Sequence, residues 1–100
     1  MAAQPERRFH IFRTPAFLRA LRLYLRRHPA MGEQVAALVD QLGTDPFAPS
    51  LRLHRLHGRL EGECAVRVTH ADRIILTLLL SDREIVLLDI GSHDELYRDL

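Results

Sequence analysis

The chain has 100 residues, 47% hydrophobic and 27% charged, with 14 arginines, no lysine and 13 acidic residues. That suffices for one hydrophobic core, leaves nothing for a second domain, and excludes a disordered or low-complexity segment. The single Cys64 cannot form an internal disulfide, and neither a secretory leader nor an apolar run of about 18 residues is visible, so secretion and a membrane span are set aside and a reducing cytoplasm is the expected compartment.

The net charge of +1 conceals an asymmetry. Residues 1–59 carry 10 arginines against four acids, and residues 60–100 carry four against nine. A basic half can meet phosphates, or it can be no more than a solvated helix face.

In chain order, residues 9–13 predict a short strand. Thr14-Pro15 then supplies an N-cap hydroxyl followed by a proline suited to the first helical position. Phe17, Leu18, Leu21, Tyr24 and Leu25 recur at helical spacing with Arg19, Arg22, Arg26 and Arg27 on other faces, until His28-Pro29 stops the pattern. Met31, Val35, Leu38, Val39 and Leu42 predict a second helix with Gly43 as its left-handed cap, and the two helices should form a hairpin. Asp45-Pro46 and Pro49 make residues 44–50 a turn and linker.

From Gly62 the period changes to two, with Cys64, Val66 and Val68 alternating against Glu63, Ala65, Arg67 and Thr69. Residues 74–80 and 85–90 are apolar runs separated by Ser81-Asp82-Arg83, which predicts a central hairpin ended by Gly91. Ser92 and Glu95 have capping-box spacing for a short terminal helix. The order β-α-α-β-β-β-α argues for a single α+β domain over 1–100, a two-helix hairpin on one face of a small, mainly antiparallel sheet. A loop pairing Thr69 with Arg73 and a turn pairing Leu80 with Glu84 would set Arg67 opposite Ile75, Ile75 opposite Asp89 and Arg73 opposite Gly91, bringing His93 towards Arg73.

Of the histidines outside the first helices, His57 and His70 read as exposed loop residues, His54 as a linker residue or one aimed across the sheet edge, and His93 as the start of the terminal helix. No cysteine and histidine spacing suggests a zinc site, and no phosphate loop, nucleophile elbow or carboxylate pair stands out, so no metal or cofactor is expected. Arg67 and Arg73 are unusual as cations in apolar strands. They fit an ion pair with Asp89 or Glu63, a stem stretched over the sheet to water, or a phosphate clamp. Tyr97 fits a base-stacking role or packing beside Leu96.

The stretches LHRLHGRLEG (53–62), DRIIL (72–76) and LLDIGSHDELY (87–97), with FLRAL (17–21) and Asp45-Pro46, resemble the RelE/ParE superfamily of bacterial type II toxins, nearest to its RelE/StbE and YafQ-like mRNA interferases. The resemblance covers most of the chain, and its carboxyl-terminal motif is the specific part. It implies two helices on a curved antiparallel sheet, cleavage of mRNA in the ribosomal A site by a ribose 2′-hydroxyl attacking the adjacent phosphate, and an antitoxin protein that wraps the toxin. By motif position His54 and His93 match catalytic histidines of the YafQ-like branch, Arg73 and Tyr97 match a phosphate-binding arginine and a functional tyrosine of the RelE branch, and Arg67 falls where YafQ-like toxins have a further histidine. The chain departs from the pattern at Ala71, where a carboxylate is usual with Asp72 now next door, and at Leu76, where an aromatic is usual. Two other readings go with the same fold: a ParE-like inhibitor of DNA gyrase without chemistry, and a decayed toxin kept as an antitoxin partner.

Overall fold

The computed structural model describes residues 8–98. The chain begins with β1 (His10–Arg13), α1 (Pro15–Arg27), a 3-10 turn at Pro29–Met31 and α2 (Gly32–Thr44). It continues with β2 (His54–Arg55), β3 (Cys64–Arg67), β4 (Asp72–Leu79), β5 (Glu84–Ser92) and α3 (His93–Leu96). The five strands form one sheet in the order β1-β5-β4-β3-β2, with β1 parallel to β5 and every other pair antiparallel. No described helix is long and apolar enough to cross a membrane.

α1 starts where the sequence places it. The Thr14 hydroxyl accepts from Phe17 N–H at 3.0 Å and donates to the Leu87 carbonyl at 2.8 Å, so one side chain caps the helix and ties it to β5. Arg26 and Arg27 close the last turn, where cations suit the helix dipole. The apolar faces of α1 and α2 bury Phe17, Tyr24, Val35, Val39 and Leu42 against Val66, Ile74, Leu76, Ile85 and Leu87 of the sheet.

Several expectations are corrected. Gly43 is not a cap: α2 runs through it to Thr44, and its carbonyl accepts from both Arg8 and Phe9 N–H at 2.8 and 2.9 Å, so this buried residue receives the chain leading into β1. A strand of two residues, β2, exists where only linker was expected, too short to show any period. The β3–β4 register sets Arg67 opposite Arg73 and not opposite Ile75. The reason is local: Val68 and Thr69 N–H both bond to the Asp72 carbonyl, while the Thr69 hydroxyl accepts from Ala71 and Asp72 N–H, so the turn consumes residues 68–71.

The β4–β5 pairs Ile75 with Asp89 and Arg73 with Gly91 hold as expected, but by a different route. The turn is one residue longer than expected, pairing Leu79 with Glu84, with Arg83 left-handed at φ 53°. A bulge then restores the register, because Leu76 pairs with Leu87 and Leu88 is the extra residue. β5 also extends past Gly91 to Ser92.

Candidate active site

Cross-strand partners share a face, and the face alternates along each strand. His54, Ala65, Ile75 and Asp89 therefore form one row across the sheet, and Arg67, Arg73 and Gly91 form the next, all on the face opposite α1 and α2. A second, smaller apolar cluster of Leu56, Ala65, Ile75 and Leu96, with Leu60, Leu88 and Tyr97 against it, seats α3 on this outer face. Ser92 caps α3 by accepting from Glu95 N–H at 3.1 Å and donating its hydroxyl to Glu95 Oε1 at 2.9 Å. His93 N–H donates to the Ala71 carbonyl at 2.7 Å, locking the start of α3 to the 68–71 loop.

His93 and Arg73 consequently line one open depression of about 410 Å³ with His70, Ala71, Ser92 and Asp94. The His93 ring meets the Tyr97 ring edge-on with centroids 4.3 Å apart, and its Nδ1 lies 3.8 Å from the exposed Asp94 carboxylate. Tyr97 has a buried hydroxyl with no hydrogen-bond partner among the described residues. Burial pushes its phenol above the ordinary value, and the nearby Arg73 charge pulls it back part of the way.

Arg67 and Arg73 stand directly opposite one another, an arrangement that costs energy unless both are held apart or share an anion. Neither forms an ion pair with Asp89 or Glu63. The Asp89 carboxylate accepts from Ile90 N–H, and Glu63 accepts from the Thr77 hydroxyl. Arg73 Nη1 instead donates to the carbonyls of Thr69, His70 and Asp72 at 2.8, 3.2 and 2.9 Å, and Arg67 Nη2 to His70 Nδ1 at 2.9 Å. These acceptors are neutral. They fix the guanidiniums in direction without cancelling charge, which leaves two forks of N–H donors for a planar or tetrahedral anion.

His54 shares the face but does not line that depression; it lies on β2, two strand spacings or about 10 Å from β4. It is exposed, and its Nδ1 is 2.9 Å from the Arg52 carbonyl. A carbonyl only accepts, so the neutral ring carries its proton on Nδ1 and leaves Nε2 free as a base.

Asp72, the carboxylate beside Ala71, is turned the other way. It is buried at 6% exposure, accepting from the Tyr24 hydroxyl at 2.8 Å and the Thr69 hydroxyl at 3.0 Å. Burial above all, with the Asp72 hydrogen bond and charge adding to it, pushes the Tyr24 phenol far up. Asp72 is thus a strut between α1 and the 68–71 loop. Tyr24→Phe removes a hydrogen bond to a buried charge and is expected to cost about 1.5 to 3 kcal/mol of stability. Urea unfolding of Tyr24→Phe, Asp72→Asn and the double variant should give a double-variant loss smaller than the two single losses combined; strict additivity would mean that the two groups do not interact.

Beyond Leu87, β5 has no strand on its β1 side among the described residues, and a cavity of about 220 Å³ opens there between α1 and α3, lined by Tyr24, Arg27, Asp89 and Glu95 among others. Burial pushes the Asp89 carboxyl up, the Ile90 N–H bond lowers it, and the Glu95 charge raises it again. A carboxyl raised in the folded state holds its proton more tightly there than in the unfolded chain. The resulting penalty is absent below the ordinary carboxylate range, grows as pH rises through that range towards the raised value, and is complete above it. Asp89→Asn keeps an oxygen for Ile90 N–H and is therefore expected to melt higher than the wild type at neutral pH, with the difference vanishing near pH 3. Equal melting temperatures at neutral pH would show that Asp89 carries no such penalty.

Cys64 is half-buried and its thiol is pushed up by burial, so it lacks the thiolate character of a nucleophile. No group of three or more His, Cys, Asp or Glu side chains among the described residues is arranged to hold a metal ion.

No family model matches the chain, and no curated protein matches it in sequence. Solved structures do resemble it in fold. A YafQ variant from E. coli superposes with a TM-score of 0.76 at 21% identity, covering 89% of this chain and 98% of that one. A YoeB/ParE toxin from Agrobacterium tumefaciens gives 0.69 at 19% identity, over 85% and 99% of the two chains. The E. coli DinJ-YafQ toxin-antitoxin complex gives 0.67 at 20% identity, over 90% and 98%. The chain has the RelE-like toxin fold, with the helix hairpin on a mixed five-stranded sheet and the short terminal helix described above.

Proposed function

We propose that this chain is the toxin of a type II toxin-antitoxin pair and that it acts in the cytoplasm as an mRNA-cleaving ribonuclease on the ribosome. One observation supports this above all others. Two arginines face each other across an open sheet, held by neutral acceptors and in none of the ion pairs among the described residues, and one of them, Arg73, lines the same depression as the His93 imidazole. Such a surface suits the doubly bonded recognition of a phosphodiester. Neighbours of the same fold are toxins, one of them solved with its antitoxin, and a small antitoxin protein is the partner we assign to this chain.

The reaction needs a base, an acid and a cation. The base removes the proton of a ribose 2′-hydroxyl, the resulting oxygen bonds to the adjacent phosphorus, the bond from phosphorus to the 5′-oxygen breaks, and the acid protonates that leaving oxygen. Products are a 2′,3′-cyclic phosphate and a free 5′-hydroxyl. His93, which lines the depression with Arg73, takes one proton role and His54, approaching from the β2 side, takes the other. Arg73 and Arg67 bind the charge that builds on the phosphoryl oxygens, and Tyr97 supports the nucleotide from the end of α3.

Expressing the chain without an antitoxin tests this reading. Growth should stop, and mapped transcript ends should cluster inside translated messages. Arrest with intact messages and broken DNA would favour gyrase inhibition, and absence of arrest would favour a decayed toxin; either result overturns the proposal.

A further inference from the structure

The 68–71 loop carries the acceptors that hold both outer-face arginines, and His70 supplies one to each: its ring Nδ1 to Arg67 Nη2 at 2.9 Å, and its carbonyl to Arg73 Nη1 at 3.2 Å. A guanidinium only donates, so the bonded ring is neutral at Nδ1 and carries its proton on Nε2. The same residue lines the depression shared by Arg73 and His93. From this geometry we infer that His70 is a positioning residue: it fixes the Arg67 guanidinium against its cross-strand neighbour Arg73, so that both present N–H groups to one phosphodiester. The inference deepens the ribonuclease reading and rests on it for the identity of the anion.

The choice of a neutral ring is the physical point. Unrestrained, two facing guanidiniums splay away from each other, and an anion must pay to gather them. A carboxylate at position 70 would gather Arg67 but neutralise it. An imidazole accepting through Nδ1 orders the fork and leaves its charge whole. Arg73 needs no such help, being held by three carbonyls, so loss of the ring should disorder Arg67 while leaving Arg73 in place.

The test compares the full-length wild type with His70→Ala, which removes the acceptor, and His70→Asn, whose side-chain oxygen can replace Nδ1. The probe is a short 2′-O-methyl oligoribonucleotide, which cannot be cleaved, with inorganic phosphate as a second ligand; the readouts are affinity and the Nε–H signals of Arg67 and Arg73 in NMR spectra. His70→Ala should weaken RNA binding by about tenfold and broaden the Arg67 signal alone, and His70→Asn should recover most of both. Unchanged affinity and an unchanged Arg67 signal in His70→Ala overturn the inference, as does His70→Asn behaving like His70→Ala. If the wild type binds neither RNA nor phosphate, the ribonuclease reading fails; the positioning role then stands if the Arg67 signal is lost in His70→Ala and regained in His70→Asn, and falls if it is the same in all three.

Discussion

Arg73→Ala is expected to slow RNA cleavage by roughly a hundredfold to a thousandfold, the about 2.7 to 4 kcal/mol that removal of one charge-stabilising donor takes from a transition state. Arg73 is already anchored on one side. Its Nη1 is committed to three carbonyls, which anchors the guanidinium at one end and leaves Nη2 and Nε as a donor pair. In the ground state the phosphodiester has one negative charge, and as the 2′-oxygen adds to phosphorus the charge on its free oxygens grows, so a fixed donor pair is worth more at that moment than before. The loss should accordingly fall on the single-turnover rate and much less on affinity for uncleaved RNA.

A purely structural role for Arg73 makes the opposite forecast. It would show as lost stability with the rate intact, whereas the His70 carbonyl that Arg73 caps is exposed to water and the part-buried Asp72 carbonyl keeps its bonds from Val68 and Thr69 N–H, so the folded state should survive the change with about 1 kcal/mol lost. Arg73→Lys separates the two further: an ammonium retains the charge but not the planar fork, and the rate should remain closer to that of alanine than to the wild type. Full-rate cleavage by Arg73→Ala, measured on ribosome-bound message, would remove Arg73 from the chemistry altogether.

How far the sequence exposes this arrangement depends on the range of the forces involved. α1 is legible because its start is encoded within four residues, Thr14 to Phe17, and β4 and β5 because long apolar runs leave few alternatives. The misplaced end of α2 has a tertiary origin: Gly43 follows the periodic residues as a cap would, yet its carbonyl is claimed by the chain leading into β1, some 34 residues earlier in sequence. The β3–β4 register turns on side-chain bonds among Thr69, Ala71 and Asp72 that a count of loop residues does not contain. Likewise nothing local announces that Asp72 belongs to Tyr24 across 48 positions, and the meeting of the His70 ring with Arg67 is signalled only weakly. The available signal was the Arg67-to-His70 spacing across a tight turn, with Thr69 and Asp72 as turn-forming residues between and beside them. What the pattern did convey was the shared face, since alternation along each strand survives a register shift of two.

Leu96→Ala is the variant that should connect this small outer core to activity. Leu96 is 7% exposed and packs with Leu56, Ala65 and Ile75, its Cδ2 lying 3.6 Å from where a Cβ on Gly91 would stand. Truncating a buried leucine takes about 2 to 5 kcal/mol where the whole fold must bear it. Here the loss has a cheaper outlet. α3 is four residues long and is held by Leu96, the Ser92 cap and the His93 bond to Ala71, so it can leave the sheet while the larger core on the other face stays intact. Hydrogen exchange at the amides of His93, Glu95 and Tyr97 should therefore accelerate by at least about thirtyfold, the lower bound of that energy, while the amides of β4 and β5 change little. His93 leaves the depression with α3, and cleavage should fall with the fraction of molecules in which α3 is docked. A Leu96→Met variant, which keeps volume, should restore both exchange protection and rate. If Leu96→Ala undocks α3 and cleavage proceeds unchanged, neither His93 nor Tyr97 takes part in the reaction, and the chemistry must be sought among Arg67, Arg73 and His54 alone.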